Sequence, residues 1–296
     1  MTTAVTAAPA MSARQEMWRR AFYRFGQSAL SIVGLALVAA LILMAILSPW
    51  IVPRPDQVAG AVDTAARFRP PSLANWFGTN EVGQDVLSLV IAGSRVSLFA
   101  GLAVVTIGAL VGAAVGSIAG YFGGWIDEAL MRFTDLMLTL PSLILAMAVA
   151  ASLGPGVLNM VIAISLSWWP GFARLVRGEV IARKEEMFVT AARALGAGAG
   201  RILLRHILPN VMTPVIVKMS LDMGFAILTV ASLGFIGIGV KPPTPEWGLM
   251  LSNARGYMPD QWWTAIFPGL AIFIAVFGFN LLGDGLRDVF DPKARR

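Results

Sequence analysis

Long runs without a single charge decide what this chain can become. Phe25 to Pro53 and Val96 to Ile126 contain no Asp, Glu, Lys or Arg, and Asp135 to Arg174 encloses a third such run. A helix needs roughly 20 largely apolar residues to cross a bilayer, and these runs are long enough. The third is interrupted by Leu153-Gly-Pro-Gly156, a turn signal, and divides into two spans. Six spans are therefore expected: Ser28–Trp50, Ser97–Ile118, Leu130–Ser152, Val157–Phe172, Pro214–Gly237 and Trp262–Gly283. Composition agrees. Of the 296 residues, 57% are hydrophobic and 14% charged, against about 25% charged in ordinary soluble domains, and the mean hydropathy is +0.72. A soluble protein of this length has no single core able to hold that much apolar surface. There is no cysteine, so disulfides and thiolate metal sites are excluded.

The net charge of +6 would point to nucleic acid in a soluble chain; in a membrane chain its distribution is what matters. No nucleic-acid partner is expected. Arg14, Arg19, Arg20 and Arg24 precede the first span. Arg174, Arg177, Arg183, Lys184, Arg193, Arg201 and Arg205 lie between spans four and five, and Arg287, Lys293, Arg295 and Arg296 follow span six. The other side has Arg54, Arg67, Arg69, Arg95, Lys241 and Arg255 over longer loops. The positive-inside bias places both termini in the cytoplasm. The chain divides accordingly into a tail (1–27), a first transmembrane helix (28–50), an extracytoplasmic segment (51–95), a transmembrane domain (96–286) and a C-terminal tail (287–296). Met1–Met17 reads as unstructured and not as a signal peptide, because the following span is too long for an h-region. Trp50, Trp262 and Trp263 fall at outer span ends, where aromatic belts form.

The cytoplasmic segment 179–209 is unusual. Glu179 to Leu195 has no Pro or Gly and reads as helix; Gly196-Ala-Gly-Ala-Gly200 then breaks it, since each glycine costs roughly 1 kcal/mol inside a helix. Arg201–Leu208 reads as a second short helix, with Arg201 and Arg205 one turn apart and Pro209 as its stop. Such a segment either lies on anionic lipid or docks into a soluble partner, and its physics favours neither. Elsewhere, Lys218 and Asp222 are four apart and pair on one face of span five. They either neutralise one another or place Asp222 on an aqueous pathway, where it meets a substrate ammonium or metal cation. A charge at mid-bilayer costs about 2.5–3.5 kcal/mol even on lenient scales. Arg132 and Asp135 are expected to pair at the start of span three, and Asp284, Arg287 and Asp288 mark the end of span six. Gly108-Ala-Leu-Val-Gly112 and Gly112-Ala-Ala-Val-Gly116 are tandem GxxxG patterns, for packing within the chain or against a second membrane subunit. Pro242-Pro243-Thr244-Pro245 makes a stiff extended outer loop or an ordinary turn. His206 is the only histidine and reads as a polar surface residue. No G-x-x-x-x-G-K-[ST] occurs, so the chain is not expected to hydrolyse ATP, and no cofactor is expected.

Thr190-Ala191-Ala192, Gly196 and Leu208-Pro209 resemble the EAA loop of ABC-transporter permeases; Thr190 stands where that family often has Glu, and His206 where it often has Ile. Phe77-Gly-Thr-Asn-Glu-Val-Gly-Gln-Asp85, Gly93-Ser-Arg95, Asp127, Arg132, Asp135, Pro141, Gly234-Phe-Ile-Gly-Ile-Gly-Val-Lys-Pro-Pro-Thr-Pro-Glu-Trp-Gly248, Phe267-Pro-Gly269, Asn280-Leu-Leu-Gly-Asp-Gly-Leu-Arg-Asp288 and Asp291-Pro292 resemble its dipeptide/oligopeptide/nickel branch. The resemblance covers most of the chain after residue 75. It implies an all-α membrane protein with six transmembrane helices and the type I ABC importer permease fold, in a bacterial inner membrane. It also implies a C-type permease that pairs with a homologous B-type permease, two cytoplasmic ATP-binding subunits and an extracytoplasmic substrate-binding protein. The residues implied to couple to the ATPases are Thr190, Ala191, Ala192, Arg193, Gly196, Arg201, Arg205, His206, Leu208 and Pro209. The implied cargo is di- or oligopeptides, with nickel or another small solute as the alternative. A self-sufficient secondary transporter would carry paired interrupted spans, and none is evident.

Overall fold

A computed structural model describes Tyr23 and residues 25–290. The expected unstructured Met1–Met17, the tail residues Arg14, Arg19, Arg20, Arg24, Lys293, Arg295 and Arg296, and Asp291-Pro292 lie outside the described residues. Among those described, the only β pairing is an isolated bridge between Thr79 and Asp85; the rest is helix, turn and loop.

Helix α1 (Ala29–Ile51) starts where Ser28 Oγ accepts the Ser31 N–H at 3.3 Å, the usual way a serine satisfies a free donor at a helix start. Its inner face meets the last helix closely: a Cβ on Gly34 would lie 2.6 Å from the Leu282 nitrogen. Its other side leaves Leu30, Leu43 and Ile46 open, as a lipid-facing surface would. Residues 52–85 then fold back on themselves as a cap. Gln57 accepts the Asp85 N–H at 2.7 Å, and Gln84 Nε2 donates to the Gln57 and Ala61 carbonyls. The Trp263 indole N–H donates to the Thr79 carbonyl at 3.0 Å. Trp263 is thus buried, and the expected belt position is corrected: the indole anchors the cap, while Trp50 and Trp262 stay exposed.

Helix α2 (Val86–Phe122) spans 37 residues, about 55 Å. It begins well before Ser97 because Asp85 caps it, its Oδ2 accepting the Ser88 N–H and Oγ–H. Gly123 and Gly124 follow at φ +67° and +57° and turn the chain into α3 (Gly124–Thr139). Helix α4 (Ser142–Leu153) comes next, bent 89° from α3. The straight third span expected over Leu130–Ser152 is therefore corrected to an elbow. Pro141 explains it: proline disfavours helical backbone in the residue before it, and Leu140 sits extended at φ −82°, ψ 131°.

Helix α5 (Val157–Lys184) runs far past Phe172, so the arginine-bearing stretch expected as loop is the lower half of a helix. Glu185 and Glu186 break it and α6 (Met187–Ala194) follows, which corrects the expectation of one helix from Glu179 to Leu195. After Gly196, the chain re-enters helix at Ala199–Arg201, passes through a π-helical turn (Ile202–Ile207) and continues as α7 (Leu208–Ile236). Pro209 does not stop this helix. The wide turn lets Leu208 N–H reach the Leu203 carbonyl, and Pro209 then sits in the first turn of α7, where a missing N–H costs nothing. Gly237 closes α7 in the left-handed region. Thr244 N–H bonds the Lys241 carbonyl, so the proline-rich loop is a turn. α8 (Trp247–Ala254) and α9 (Trp263–Phe290) complete the fold.

Among the described residues, four helical runs are long and apolar enough to cross a membrane: α1, α2, the run Ala199–Ile236 that contains α7, and α9; the α3–α4 pair makes up to five. The remaining expected span, Val157–Phe172, is the first part of α5. The core lies where α5 meets α2. Gly108, Gly112, Gly116 and Gly120 form a groove that takes Trp168, Phe172, Val176 and Val180 of α5. The GxxxG pair therefore packs within the chain.

Candidate functional site

The last turns of α5 are tied by charge to α3 and by a lysine cap to the end of α2. Arg177 donates from Nε and an Nη to the two carboxylate oxygens of Asp127, at 2.5 and 2.6 Å. That planar two-point contact is the geometry guanidinium suits best. The Arg177 hydrogen bonds hold the Asp127 carboxyl below its usual range, with burial opposing, and Asp127 in turn raises Arg177. Two turns further along α5, Lys184 Nζ caps the end of α2 at the Gly120 carbonyl, 3.2 Å away. Arg174 reaches Asp135 at 2.6 Å and Arg132 turns to Glu128 at 2.9 Å. The expected Arg132–Asp135 pair is thus corrected: Glu128 is four residues back on the same helix face, and Arg174 lies across the groove.

The depressed Asp127 value fixes a sign. Its contribution to stability is complete above the ordinary carboxylate pKa of about 3.9 and is lost as pH falls through the lower folded-state value. Arg177 titrates far above neutrality, so this pair is indifferent to pH between about 5 and 9. Asp127→Asn is expected to destabilise the protein by roughly 1–2 kcal/mol at pH 7, at the low end for charged hydrogen bonds because Arg177 is partly solvated. The deficit should shrink on acidification below pH ~4, which thermal unfolding against pH reads.

Below this lock hangs α6. Thr190, Ala191 and Arg193 are exposed, Ala192 is half-buried, and Val189 is fully buried beside Ile202 and Ile207 in the continuous core. Gly196 stands at φ +77°. Its N–H bonds the Arg193 carbonyl, and Ala197 N–H bonds the Ala192 carbonyl, which closes the helix on a left-handed residue in the way glycine favours. Arg201, Arg205 and Pro209 are exposed; His206 and Leu208 are half-buried, and the His206 carbonyl accepts from Asn210 Nδ2 at 2.7 Å. The structure thus brings the ten expected loop residues into one protrusion. It also shows what sequence reasoning did not single out: Met187 (87% exposed), Leu195 (88%) and Leu204 (67%) project from it. No acidic residue occurs from Met187 to Pro209, so the surface is apolar knobs among three arginines.

In the middle of α7 the expected Lys218–Asp222 pair is formed, Nζ to Oδ2 at 3.0 Å. The Trp168 indole N–H of α5 also donates to Asp222 Oδ2, at 3.2 Å, and Lys218 Nζ lies 5.0 Å above the Phe172 ring centre. Spacing on one helix announced the ion pair; Trp168, 54 residues away in sequence, had no such signal. The outer end carries a cluster that sequence reasoning passed over. Glu246 is fully buried, caps α8 by accepting the Gly248 and Leu249 N–H groups at 2.8 Å, and accepts Ser97 Oγ–H of α2 at 3.2 Å. Trp247 Nε1 donates to the Val90 carbonyl at 2.9 Å. Gly234 leaves room for that carboxylate, since a Cβ there would meet Glu246 Oε2 at 2.2 Å.

Residues 112–296 match the family described as binding-protein-dependent transport system inner membrane component, and residues 16–71 match the N-terminal TM domain of oligopeptide transport permease C. The chain is 45% identical over 267 residues to the probable D,D-dipeptide transport system permease protein DdpC of Escherichia coli (strain K12), covering 90% of this chain and 89% of that protein. It is 44% identical over 278 residues to the dipeptide transport system permease protein DppC of Alkalihalophilus pseudofirmus, covering 94% and 90%. It is 43% identical over 278 residues to the glutathione transport system permease protein GsiD of Escherichia coli O157:H7, covering 94% and 91%. Among solved structures, the MetNI methionine ABC transporter in inward-facing conformations matches with a TM-score of 0.55 and 17% identity, over 69% of this chain and 97% of that one, a likeness of fold. Charge-free helices, sequence family and fold converge, and the chain belongs to the binding-protein-dependent transport system inner membrane components, the membrane permeases of such systems.

Proposed function

We propose that this permease serves the ATP-driven import of di- or oligopeptides. Half of the pathway is its own and half comes from a homologous B-type permease. Two cytoplasmic ATP-binding subunits supply hydrolysis, for which this sequence has no phosphate-binding loop, and an extracytoplasmic binding protein delivers cargo. Both termini and the 179–209 loop lie in the cytoplasm on this reading. The observation that carries it is the surface of this segment: Met187 and Leu195 are exposed amid Arg193, Arg201 and Arg205. Apolar anchors with arginines around them are what a protein interface selects. Thr190, Ala191, Ala192, Gly196, His206, Leu208 and Pro209 shape that protrusion. Closure of the ATPases would displace it, and the contacts of Arg177 with Asp127 and Lys184 with Gly120 would pass the displacement from α5 to α3 and α2. Packed helices respond by switching between discrete arrangements. Lys218 and Asp222 belong to the pathway on this reading. The peptide cargo is supported by relatives named for dipeptide and glutathione transport.

The test is uptake of a labelled small-peptide mixture by cells with and without this gene, with nickel uptake measured alongside. Peptide uptake is expected to disappear on deletion while nickel uptake persists. The reverse pattern would move the assignment to metal import.

A further inference from the structure

We propose that Lys218 and Asp222 form a two-pole site for both ends of a short zwitterionic peptide in transit, its carboxylate on Lys218 and its ammonium on Asp222. The inference rests on the peptide reading above and adds to it a binding site and a size preference.

Position comes first. Asp222 has 14 residues of α7 on either side of it, between Leu208 and Ile236, so it stands about 21 Å from each end of the helix. Among the described residues of α7 it and Lys218 are the only charged side chains. The ion pair itself joins two residues of one helix; the contacts that cross to α5 are the Trp168 hydrogen bond to Asp222 and the Phe172 ring under Lys218. A pair that served packing alone would be better replaced by apolar residues of the same volume. Nor is the pair sealed: the Lys218 side chain is 31% exposed and that of Asp222 18%.

The surroundings allow the pair to open. Gly171 faces the Lys218 stem, where even a Cβ would stand 3.6 Å from Cε and 3.7 Å from Nζ, so nothing pins the ammonium from that side. Phe172 offers it a resting place over an aromatic ring. Trp168 holds Asp222 by one oxygen and leaves Oδ1 to Lys218 alone. A zwitterion that inserts between the two side chains replaces one ion pair by two and brings no net charge to mid-span.

Size follows from the helix. Residues four apart have Cβ atoms about 5–6 Å apart, and an extended dipeptide spans at most about 7 Å from end to end. A dipeptide therefore meets both poles at once, while a longer peptide engages one at a time.

The experiment uses the complete importer in liposomes, with its own binding protein, and labelled alanyl-alanine as the probe. Single substitutions are uninformative because they leave a lone charge behind, so the variant is Lys218→Met with Asp222→Leu. It is expected to assemble, read by co-purification of the partner subunits, while alanyl-alanine uptake falls about tenfold or more, the scale of one lost charge-assisted contact. Uptake at the wild-type rate would overturn the two-pole site and leave the peptide reading standing. A wild-type importer that takes up no dipeptide overturns both. A second measurement needs no variant: N-acetyl-alanyl-alanine and alanyl-alanine amide, compared per peptide-loaded binding protein, are expected to enter several-fold more slowly than alanyl-alanine. Equal rates for all three would also overturn the site.

Discussion

Replacing Gly112 by leucine is expected to destroy the folded permease. A Cβ at that position would lie 2.5 Å from both the Trp169 carbonyl oxygen and the Phe172 Cβ, and 2.8 Å from the Ala173 nitrogen. Two of those three atoms are backbone and cannot rotate aside, so α2 and α5 must separate along the groove. Overpacking costs typically 1–3 kcal/mol when side chains can yield; here the cost is expected at about 3 kcal/mol or more. Protein recovered from membranes should fall sharply, and what remains should unfold at a markedly lower temperature. Gly178 is the control. It lies on the same α5 helix with open space around it, so Gly178→Ala should leave stability unchanged or raise it by about 0.5–1 kcal/mol. Equal melting of Gly112→Leu and wild type would mean that the two helices do not meet at this groove.

The second large effect is functional. Gly196→Val is expected to reduce ATP-dependent uptake by about tenfold or more while the protein still inserts and folds. Nothing lies within 4 Å of a Cβ at Gly196, but the backbone stands at φ +77°. A β-branched residue there costs roughly 1–2 kcal/mol, and the strain is released by unwinding the turn that sets α6 against the π-helical segment. Thermal unfolding of the permease should shift little. Co-purification of the ATP-binding subunits should weaken together with uptake. Normal uptake in this variant would remove the protrusion from the coupling path.

Much of this was legible in the sequence because membrane topology is written in local composition. The charge-free runs located α1, α2 and α9, a mainly apolar run around Lys218 and Asp222 located α7, and three glycines in five residues located the interruption after α6. The Lys218–Asp222 pair was legible for the same reason, since four residues on one helix fix the geometry without any tertiary knowledge. What stayed hidden depended on partners far away in the chain. Asp135 turned to Arg174 and not to Arg132 because α5 passes beside α3, and 39 residues of separation leave no periodic trace. The break at Glu185–Glu186 has neither proline nor glycine to announce it. Pro209 sent a stop signal that the π-helical turn cancelled. Glu246 stood only as one letter of a motif; its enclosure by Gly234 and by Ser97, 149 residues away, has no local signal.

The elbow at Leu140–Pro141 bears on how the chain sits in its membrane. Helix α3 has 16 residues and α4 has 12, and neither alone reaches the roughly 20 that a spanning helix requires. The run from Leu130 to Ser152 reaches it only in sum, and it carries Arg132, Asp135 and Pro141. The two helices therefore make one crossing only together, with an 89° bend between them. Bending frees carbonyls in the last turn of α3, of which the Thr139 hydroxyl takes up that of Leu136. Unpaired backbone is not tolerated against hydrocarbon, so an elbow at membrane depth has to be faced by protein or water, and lipid is kept from it.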